Sequence, residues 1–430
     1  MTIVQNARSF VYKEGFDWDK PEITLQFFHP QLQMFFAVNG IFFNNRESKI
    51  RFVWPLLSAL LAMIANCFEL MFMWHGFEIK DYGFVTECFC YFFILGSVVI
   101  VYISMLRNRD KIFMLSNNMN KDFLFICNLG SQYRDTFFKG QLLIWKLCWS
   151  WLCFAIFVAL LYISNTLLYL LYQSTLATQD EHMVRPFMFP IWLPADDPHR
   201  TPNYEIFLAL EIVLIFIVFC SFVLYVYILF HLLLHYYNLM DMILIAFGEL
   251  FDGLDEEVAT LEPEDPRRRA VQAQLNSRMG RIARWHHSVF ESVETVSSVY
   301  GPALVYQTMF SSVVICSIAF QVAEQLSEGK VDYLFAVLGI GACLQLWIPC
   351  YIGTLLRNKG FSLGDRCFYC GWHGTSLGRL LRRDLVIFIQ RSQEPLAIKF
   401  TALPHLKLET FSSIMSSAYS YFNMLRQYNS

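Results

Sequence analysis

Seven stretches of about 20 mostly apolar residues punctuate this chain, at 53–73, 83–106, 147–172, 204–235, 303–325, 331–356 and 404–428. A hydrocarbon layer about 30 Å thick, crossed at about 1.5 Å per residue, needs a run of that length. The pattern therefore predicts an all-α polytopic membrane protein with seven transmembrane helices, the last of them weakest by hydropathy. It divides into an N-terminal segment 1–52, helices one to four within 53–235, a loop and helix at 236–302, helices five and six within 303–356, a loop and helix at 357–403, and a final helix at 404–430. The fourth stretch is longer than a bilayer requires, so its helix is expected to continue beyond the membrane.

The basic residues orient these helices, because Lys and Arg are retained on the cytoplasmic side. Of the 33 Lys and Arg, 27 fall in the N-terminal tail and the even-numbered connections, counting the sixth through Lys407, and 5 in the odd-numbered connections and the C-terminal end. Lys146 sits at the edge of the third span. The expected topology has a cytoplasmic N-terminus and an extracellular C-terminus, the inverse of a G-protein-coupled receptor. The first 20 residues carry charges throughout and lack the apolar core of a signal peptide.

In the fourth connection an acidic stretch from Glu249 to Asp265 leads into Pro266, a cap residue followed by proline at the first helical position, so a helix is predicted to run from there toward Pro302. In the sixth, Leu377, Leu380, Leu381 and Phe388 recur at helical spacing and predict an amphipathic helix. These two either pack together as a cytoplasmic anchor region or rest on the inner leaflet.

Composition changes the picture little: 56% hydrophobic, 17% aromatic and 16% charged residues with a net charge of -3 point to the bilayer as solvent and give no footprint for nucleic acid. Twelve cysteines lie in apolar segments or in connections assigned to the cytoplasm, which does not suggest a disulfide framework, and there is no N-x-[ST] sequon. Cys367, Cys370 and His373 lack a clear fourth ligand for zinc, so no metal is expected. The pair His286 and His287 is expected to be solvated. No P-loop, nucleophile elbow or HExxH occurs, so neither an enzyme nor a cofactor is indicated.

The last span is unusually polar. At 100° per residue Glu409, Ser413, Ser417, Ser420, Met424 and Gln427 share an arc of about 80°, while Phe411, Met415, Ala418, Phe422 and Leu425 occupy the other side and Arg426 points away from the stripe. Either copies of this helix line an aqueous pore, with Ser413, Ser417 and Ser420 along it, Met424 as a dewetting constriction and Gln427 at the mouth, or the serines permit close helix packing. A transporter is less favoured, since no internal repeat is visible.

The segment "RRDLVIFIQRSQEPLAIKFTALPHLKLETFSSIMSSAYSYFNMLRQ", with "FYCGW" upstream, resembles the C-terminal signature of insect odorant receptors over about 60 residues, and the inverted seven-span plan extends the likeness loosely over the whole chain. Ser420, Tyr421, Gln427 and Tyr428 also look like the ending of gustatory receptors, from which Asn423 and Arg426 depart; "RSQ" and "LETF" favour the odorant branch. The resemblance implies a tetrameric non-selective cation channel, multi-pass in the plasma membrane of olfactory sensory neuron dendrites, whose seventh helices surround the pore. It places Met424 at the gate and Gln427 at the outer mouth, and it implies partners: a small volatile odorant, a co-receptor subunit, lipid and permeant cations. The chain lacks the co-receptor's apolar ending and enlarged fourth loop, so it is similar to a tuning subunit.

The family's ligand pocket lies in the outer half of the bundle among spans two to six, and a pocket there is expected to be apolar with a few polar groups. By depth this selects Phe89, Phe92, Tyr162, Asn165, Tyr169, Phe207, Glu211, Ser317, Phe320 and Gln321. Glu211 stands out because an intramembrane carboxylate is costly and faces a cavity or a partner; it either orients a ligand donor or pairs within the bundle. In the external connections Glu78, Asp81, Asp180, Glu181, Asp196, Asp197, Glu328 and Asp332 outnumber the bases, an excess that concentrates cations modestly under salt screening.

Overall fold

The computed structural model describes residues 3–18, 20–38, 53–175, 185–194, 196–327, 329–331, 333–398 and 405–429. Asp180, Glu181, Glu328, Asp332 and the expected start of the last span at 404 lie outside the described residues, as does the side chain of Tyr428. Within these the chain is helical: α1 (Ile3–Tyr12), α2 (Leu25–Phe28), α3 (Pro30–Val38), α4 (Val53–Ile79), α5 (Tyr82–Arg107), α6 (Arg109–Cys127), α7 (Ser131–Thr175), α8 (Asn203–Gly248), α9 (Pro266–Ser327), α10 (Tyr333–Phe368), α11 (Gly378–Ser392) and α12 (Leu408–Asn429), with a 3-10 turn at Glu257–Thr260.

Among the described residues six helices, α4, α5, α7, α8, α9 and α10, are long and apolar enough to cross a membrane. The seventh, α12, has 22 residues and so spans about 33 Å; its serines keep its hydropathy low. Asp81 caps α5 by accepting the Phe84 N–H at 3.0 Å. Asp265 likewise accepts the Arg267 N–H at 2.8 Å, and α9 starts at Pro266 as its cap residue predicts.

Four helices clearly exceed a bilayer, among them α10 with 36 residues. The helices α7, α8 and α9 have 45, 46 and 62 residues, so α9 alone extends roughly 93 Å. The chain does not break at Pro302: α9 runs through it, joining the predicted helix of 236–302 to the fifth span. One turn before that proline, Ser104 on α5 donates to the Val299 carbonyl at 2.6 Å, the kind of side-chain bond that supports a proline-bearing membrane helix.

The overhanging ends form a second helical layer with α6, α11 and the N-terminal helices. Its core gathers Leu115, Phe123, Phe137, Tyr236, Phe247, Leu275, Leu363, Leu381 and Leu385. Phe388 of α11 packs edge-on against Phe247 with centroids 4.9 Å apart, so α11 is an integral part of this layer. Lys359 and Asp241 pair at 2.6 Å between α10 and α8. A buried polar chain crosses the layer: His29 to Gln141 at 3.2 Å, Gln141 to His235 at 3.0 Å, and His235 to Asp122 at 3.2 Å. Lys13 donates to the Phe28 carbonyl at 2.5 Å and sits 3.8 Å over Trp145; burial pushes its ammonium down to about 8.

The pair His286 and His287 is not solvated as a pair, contrary to the expectation from sequence. His286 is buried against Phe290 and Phe388, whereas its neighbour His287 is exposed beside Glu291. Successive residues on a helix point about 100° apart, so only one of such a pair faces solvent when the helix is half packed.

Candidate functional site

Two features stand out in the membrane layer. The first is an apolar cavity of about 230 Å³. It lies among Tyr91 to Val101 of α5, Trp151 to Tyr162 of α7, Ile215 to Tyr225 of α8, Ala303 to Ile318 of α9 and Val337 to Gln345 of α10, with Phe189 of the α7–α8 connection as part of its wall. Aromatic rings dominate: Phe93 stacks on Phe310 at 4.6 Å, and Tyr306 packs on Phe310 at 4.7 Å. The open space exists because the wall carries small residues, Ala155 and Ala159 one turn apart on α7, and Gly341 and Ala342 on α10.

Polar groups on this wall are few and of two kinds. Ser97, Ser311 and Tyr306 spend their protons on backbone carbonyls, those of Ile94, Gln307 and Phe93. In contrast Tyr225 Oη, Trp151 Nε1 and Gln307 Oε1 are buried without a hydrogen-bond partner among the described residues. A buried polar atom left unpaired costs about 1–3 kcal/mol. The cavity thus offers an almost wholly apolar surface, with Tyr225, Trp151 and Gln307 on its wall each carrying one unpaired polar atom, the arrangement that holds a small, mostly apolar molecule.

The second feature is α12. Ala418, Phe411, Ile414 and Met415 pack against Ile315 and Leu346, with Ala342 and Cys343 beside them. Its opposite side is exposed and includes Glu409, Ser412, Ser413, Ser416, Tyr419, Ser420, Met424 and Gln427; Met424 shows 62% of its surface. Ser417 is half-buried at the edge of this face. The hydroxyls of Ser416, Ser417 and Ser420 each donate to the carbonyl four residues earlier, at 3.0 Å. Their protons are therefore satisfied within the helix, and the face presents oxygen lone pairs. At its other end α12 is fastened to α10: the Leu408 N–H donates to Thr354 Oγ1 at 3.0 Å, and Gly353 lets the Leu406 carbonyl approach to where a Cβ would lie 2.4 Å away.

Of the ten residues selected for ligand contact, Tyr162 lines the cavity. Phe89 and Phe92 pack behind its wall against Phe72, Met73 and Cys88. Asn165 accepts a hydrogen bond from Tyr333, Tyr169 is half-buried on α7, and Phe207 packs against Phe187. Ser317 and Phe320 are buried on α9 outside the cavity wall. Gln321 donates to Thr86 Oγ1 at 2.7 Å and to the Gly83 carbonyl. Glu211 binds backbone N–H groups of the α7–α8 connection. The sequence reading passed over Phe93, Phe154, Tyr225, Tyr306, Gln307 and Phe310. A usable signal existed in the run 303, 306, 307, 310, 311, 314, 315, 318, a helical stripe on α9 that faces the paired small residues of α7 and α10.

No group of three or more His, Cys, Asp or Glu able to hold a metal occurs among the described residues. All twelve cysteines are free thiols, and Cys367 directs its sulfur to the Leu385 carbonyl at 3.8 Å.

The geometry can be set beside known proteins. Residues 81–419 match the family described as 7tm Odorant receptor. Among curated proteins of Drosophila melanogaster, Odorant receptor 67c is 29% identical over 145 residues, 34% of this chain and 35% of that one. Odorant receptor 13a is 27% identical over 186 residues, 41% and 44% of the two chains. The alignments thus span well under half the length of these relatives. The insect olfactory receptor OR5 from Machilis hrabei, solved in complex with eugenol, superposes with a TM-score of 0.72, covering 94% of this chain and 98% of that one at 15% identity, a likeness of fold.

Proposed function

The chain belongs to the 7tm odorant receptor family, and from that premise we propose that it is the odorant-binding subunit of a heteromeric, odorant-gated, non-selective cation channel. It acts with a co-receptor subunit in a tetramer in the plasma membrane of olfactory sensory neuron dendrites. The N-terminus is cytoplasmic, as the distribution of Lys and Arg favours. The ligand is a small volatile molecule held in the cavity between α5, α7, α8, α9 and α10, oriented by Tyr225, Trp151 and Gln307. In OR5 eugenol is the bound molecule, a compound of the kind this cavity would suit.

The observation that carries the proposal is a shared wall. Ile315 and Ala342 line the cavity and also pack with Ala418 of α12. A ligand that favours a different spacing of α9 and α10 therefore acts on α12 without an intermediary. Because Leu408 is tied to Thr354, α12 responds by pivoting about that end, and the far end carrying Met424 moves most. In a ring of such helices Ser413, Ser417 and Ser420 line the pore, Met424 forms an apolar constriction that gates by dewetting, and Gln427 lies at the mouth. Ligand binding is then a population shift between closed and open arrangements.

Whole-cell voltage clamp on cells expressing this chain with an insect co-receptor, under G-protein blockade, tests the proposal. A fast odorant-evoked cation current that requires both subunits supports it. A response abolished by the blocker, or an extracellular N-terminus by epitope labelling, refutes it.

A further inference from the structure

The α7–α8 connection contains a strap, "RPFMFP", residues 185–190, with a proline near each end and neither helix nor strand of its own. Backbone N–H groups in such a segment need partners from elsewhere. Here they find Glu211. This carboxylate is 2% exposed on α8. Its Oε1 accepts the N–H of Phe189 at 2.9 Å and that of Met188 at 3.2 Å, and its Oε2 accepts the Met188 N–H at 3.1 Å. Among the described residues no Lys, Arg or His forms an ion pair with it. The strap's amides are thus what makes a carboxylate at this depth tolerable, and the carboxylate is what satisfies the amides.

Three further tethers hold the same segment. Tyr204 Oη donates to the Pro186 carbonyl at 3.0 Å, Tyr91 Oη reaches the Met188 carbonyl at 3.4 Å, and the Arg185 carbonyl meets His199 Nδ1 at 2.8 Å. The result is that Phe189 is pressed edge-on against Tyr91, with centroids 4.8 Å apart, and both rings are part of the cavity wall. Met188 is buried between Tyr162 and Ile215. Glu211 itself is not part of that wall.

We propose that Glu211 is a positioning residue that clamps the 185–190 strap as a lid, with Phe189 as its plug, so that opening of this clamp governs ligand entry to and exit from the cavity. The inference rests on reading the cavity as the ligand site. Both oxygens are engaged, so Glu211→Gln leaves one acceptor and turns an N–H₂ toward an N–H donor. Losing one charge-assisted bond in this way raises the open population of the lid by roughly tenfold or more.

The experiment records odorant-evoked current under rapid perfusion with the co-receptor present, using whichever member of a volatile alcohol, ketone and ester panel gives the largest response. Surface labelling verifies delivery to the membrane. For E211Q the onset and the decay of current are both expected to speed several-fold, while the half-maximal concentration moves less than either rate, because a lid alters the path and not the bound state. Phe189→Ala removes the plug and leaves the clamp's bonds intact; because Phe189 also lines the cavity, loss of wall contact alone would speed only decay, so a faster initial rate of onset at low odorant concentration is the result that decides the matter if E211Q does not reach the surface. Unchanged kinetics in the delivered variants, with Ala159→Leu still shifting potency, overturn the lid and leave the cavity as the ligand site. No effect from any of the three variants on any active odorant overturns both.

Discussion

Cavity size is the property of the ligand site that can be altered most cleanly, and Gly341 offers the smallest step. A Cβ built there meets Phe154 Cε1 at 3.6 Å and Cζ at 3.8 Å, which is ordinary van der Waals contact, so Gly341→Ala adds a methyl to the wall without displacing anything. In a helix interior alanine is favoured over glycine by about 0.5–1 kcal/mol, so the variant is expected to be at least as stable as the parent. A ligand that fills the cavity must give up one methylene's worth of burial, about 0.8 kcal/mol, which is close to a fourfold loss of potency. Ala159→Leu, on the facing helix, adds three carbons and by the same reckoning costs about 2.4 kcal/mol, or about fiftyfold.

The size dependence discriminates more sharply than the magnitude. The assay is a concentration–response series of odorant-evoked current for a homologous set of straight-chain alcohols, with co-receptor present and surface expression matched. Short members that leave space unused should be unaffected, and the loss should set in at a particular chain length, one or two carbons shorter for Ala159→Leu than for Gly341→Ala. A uniform shift across the whole set, or none at all, would refute the assignment of this cavity as the ligand site.

Met424→Ser replaces the exposed apolar side chain at the proposed constriction with a hydrated one, and the expected result is a larger current in the absence of odorant with little change in odorant potency. Gly140→Ala places a Cβ 2.1 Å from Asn238 Oδ1 and forces apart the buried bond from Asn238 Nδ2 to the Phe137 carbonyl, 2.8 Å long; a loss of about 1–3 kcal/mol is expected, read as a lower melting temperature in detergent. Burial, then the adjacent His231 and Lys13, hold His29 well below the ordinary histidine range. The unfolded chain takes up a proton there near pH 6.5 and the folded one does not, so stability is retained above that pH and falls as pH drops below it. A melting curve series from pH 7.5 to 5 should show that slope, and His29→Gln should make it shallower.

How much of this was legible beforehand varied with the kind of signal. Membrane helices were, because about 20 apolar residues in a row admit few other readings. So was the helix beginning at Pro266, from Asp265 and the proline alone. The helix α6 was not assigned, although Ile112, Leu115, Met119, Phe123 and Ile126 repeat at helical spacing and are all buried; five charged residues among its nineteen kept it from resembling a span. The cavity's position was the least legible. Ligand contacts were sought at the outer ends of the spans by depth, yet a cavity forms where side chains are missing, and Ala155, Ala159 and Gly341 acquire that meaning only once α7 and α10 are placed opposite each other. Glu211 was singled out for its cost in a membrane, and the two uses considered for it were orienting a ligand donor and pairing within the bundle. Its bonds go to backbone N–H groups of the connection that precedes α8, 22 and 23 residues earlier, which periodicity has no means of showing.

The energetics constrain how such a cavity can operate a gate. Moving a two-state equilibrium from 1:99 to 99:1 takes about 5.5 kcal/mol of differential affinity. A molecule burying about seven methylene equivalents gains close to that in total, and only the part that differs between closed and open states is usable for gating. The bound state must therefore change the cavity itself, and the change has to fall on wall residues that α12 also touches. Ile315 and Ala342 meet that requirement, whereas among the described residues the cluster around Ala418 of α12 includes none from α7. On the proposed reading selectivity and gating are divided between opposite walls: α7 and the strap would decide what fits and how it enters, and the α9–α10 side would convert occupancy into displacement. If the proposed gate holds, one such ligand supplies less than the about 5.5 kcal/mol needed to go from 1:99 to 99:1, and full opening would require more than one liganded subunit or a closed state that is only marginally preferred.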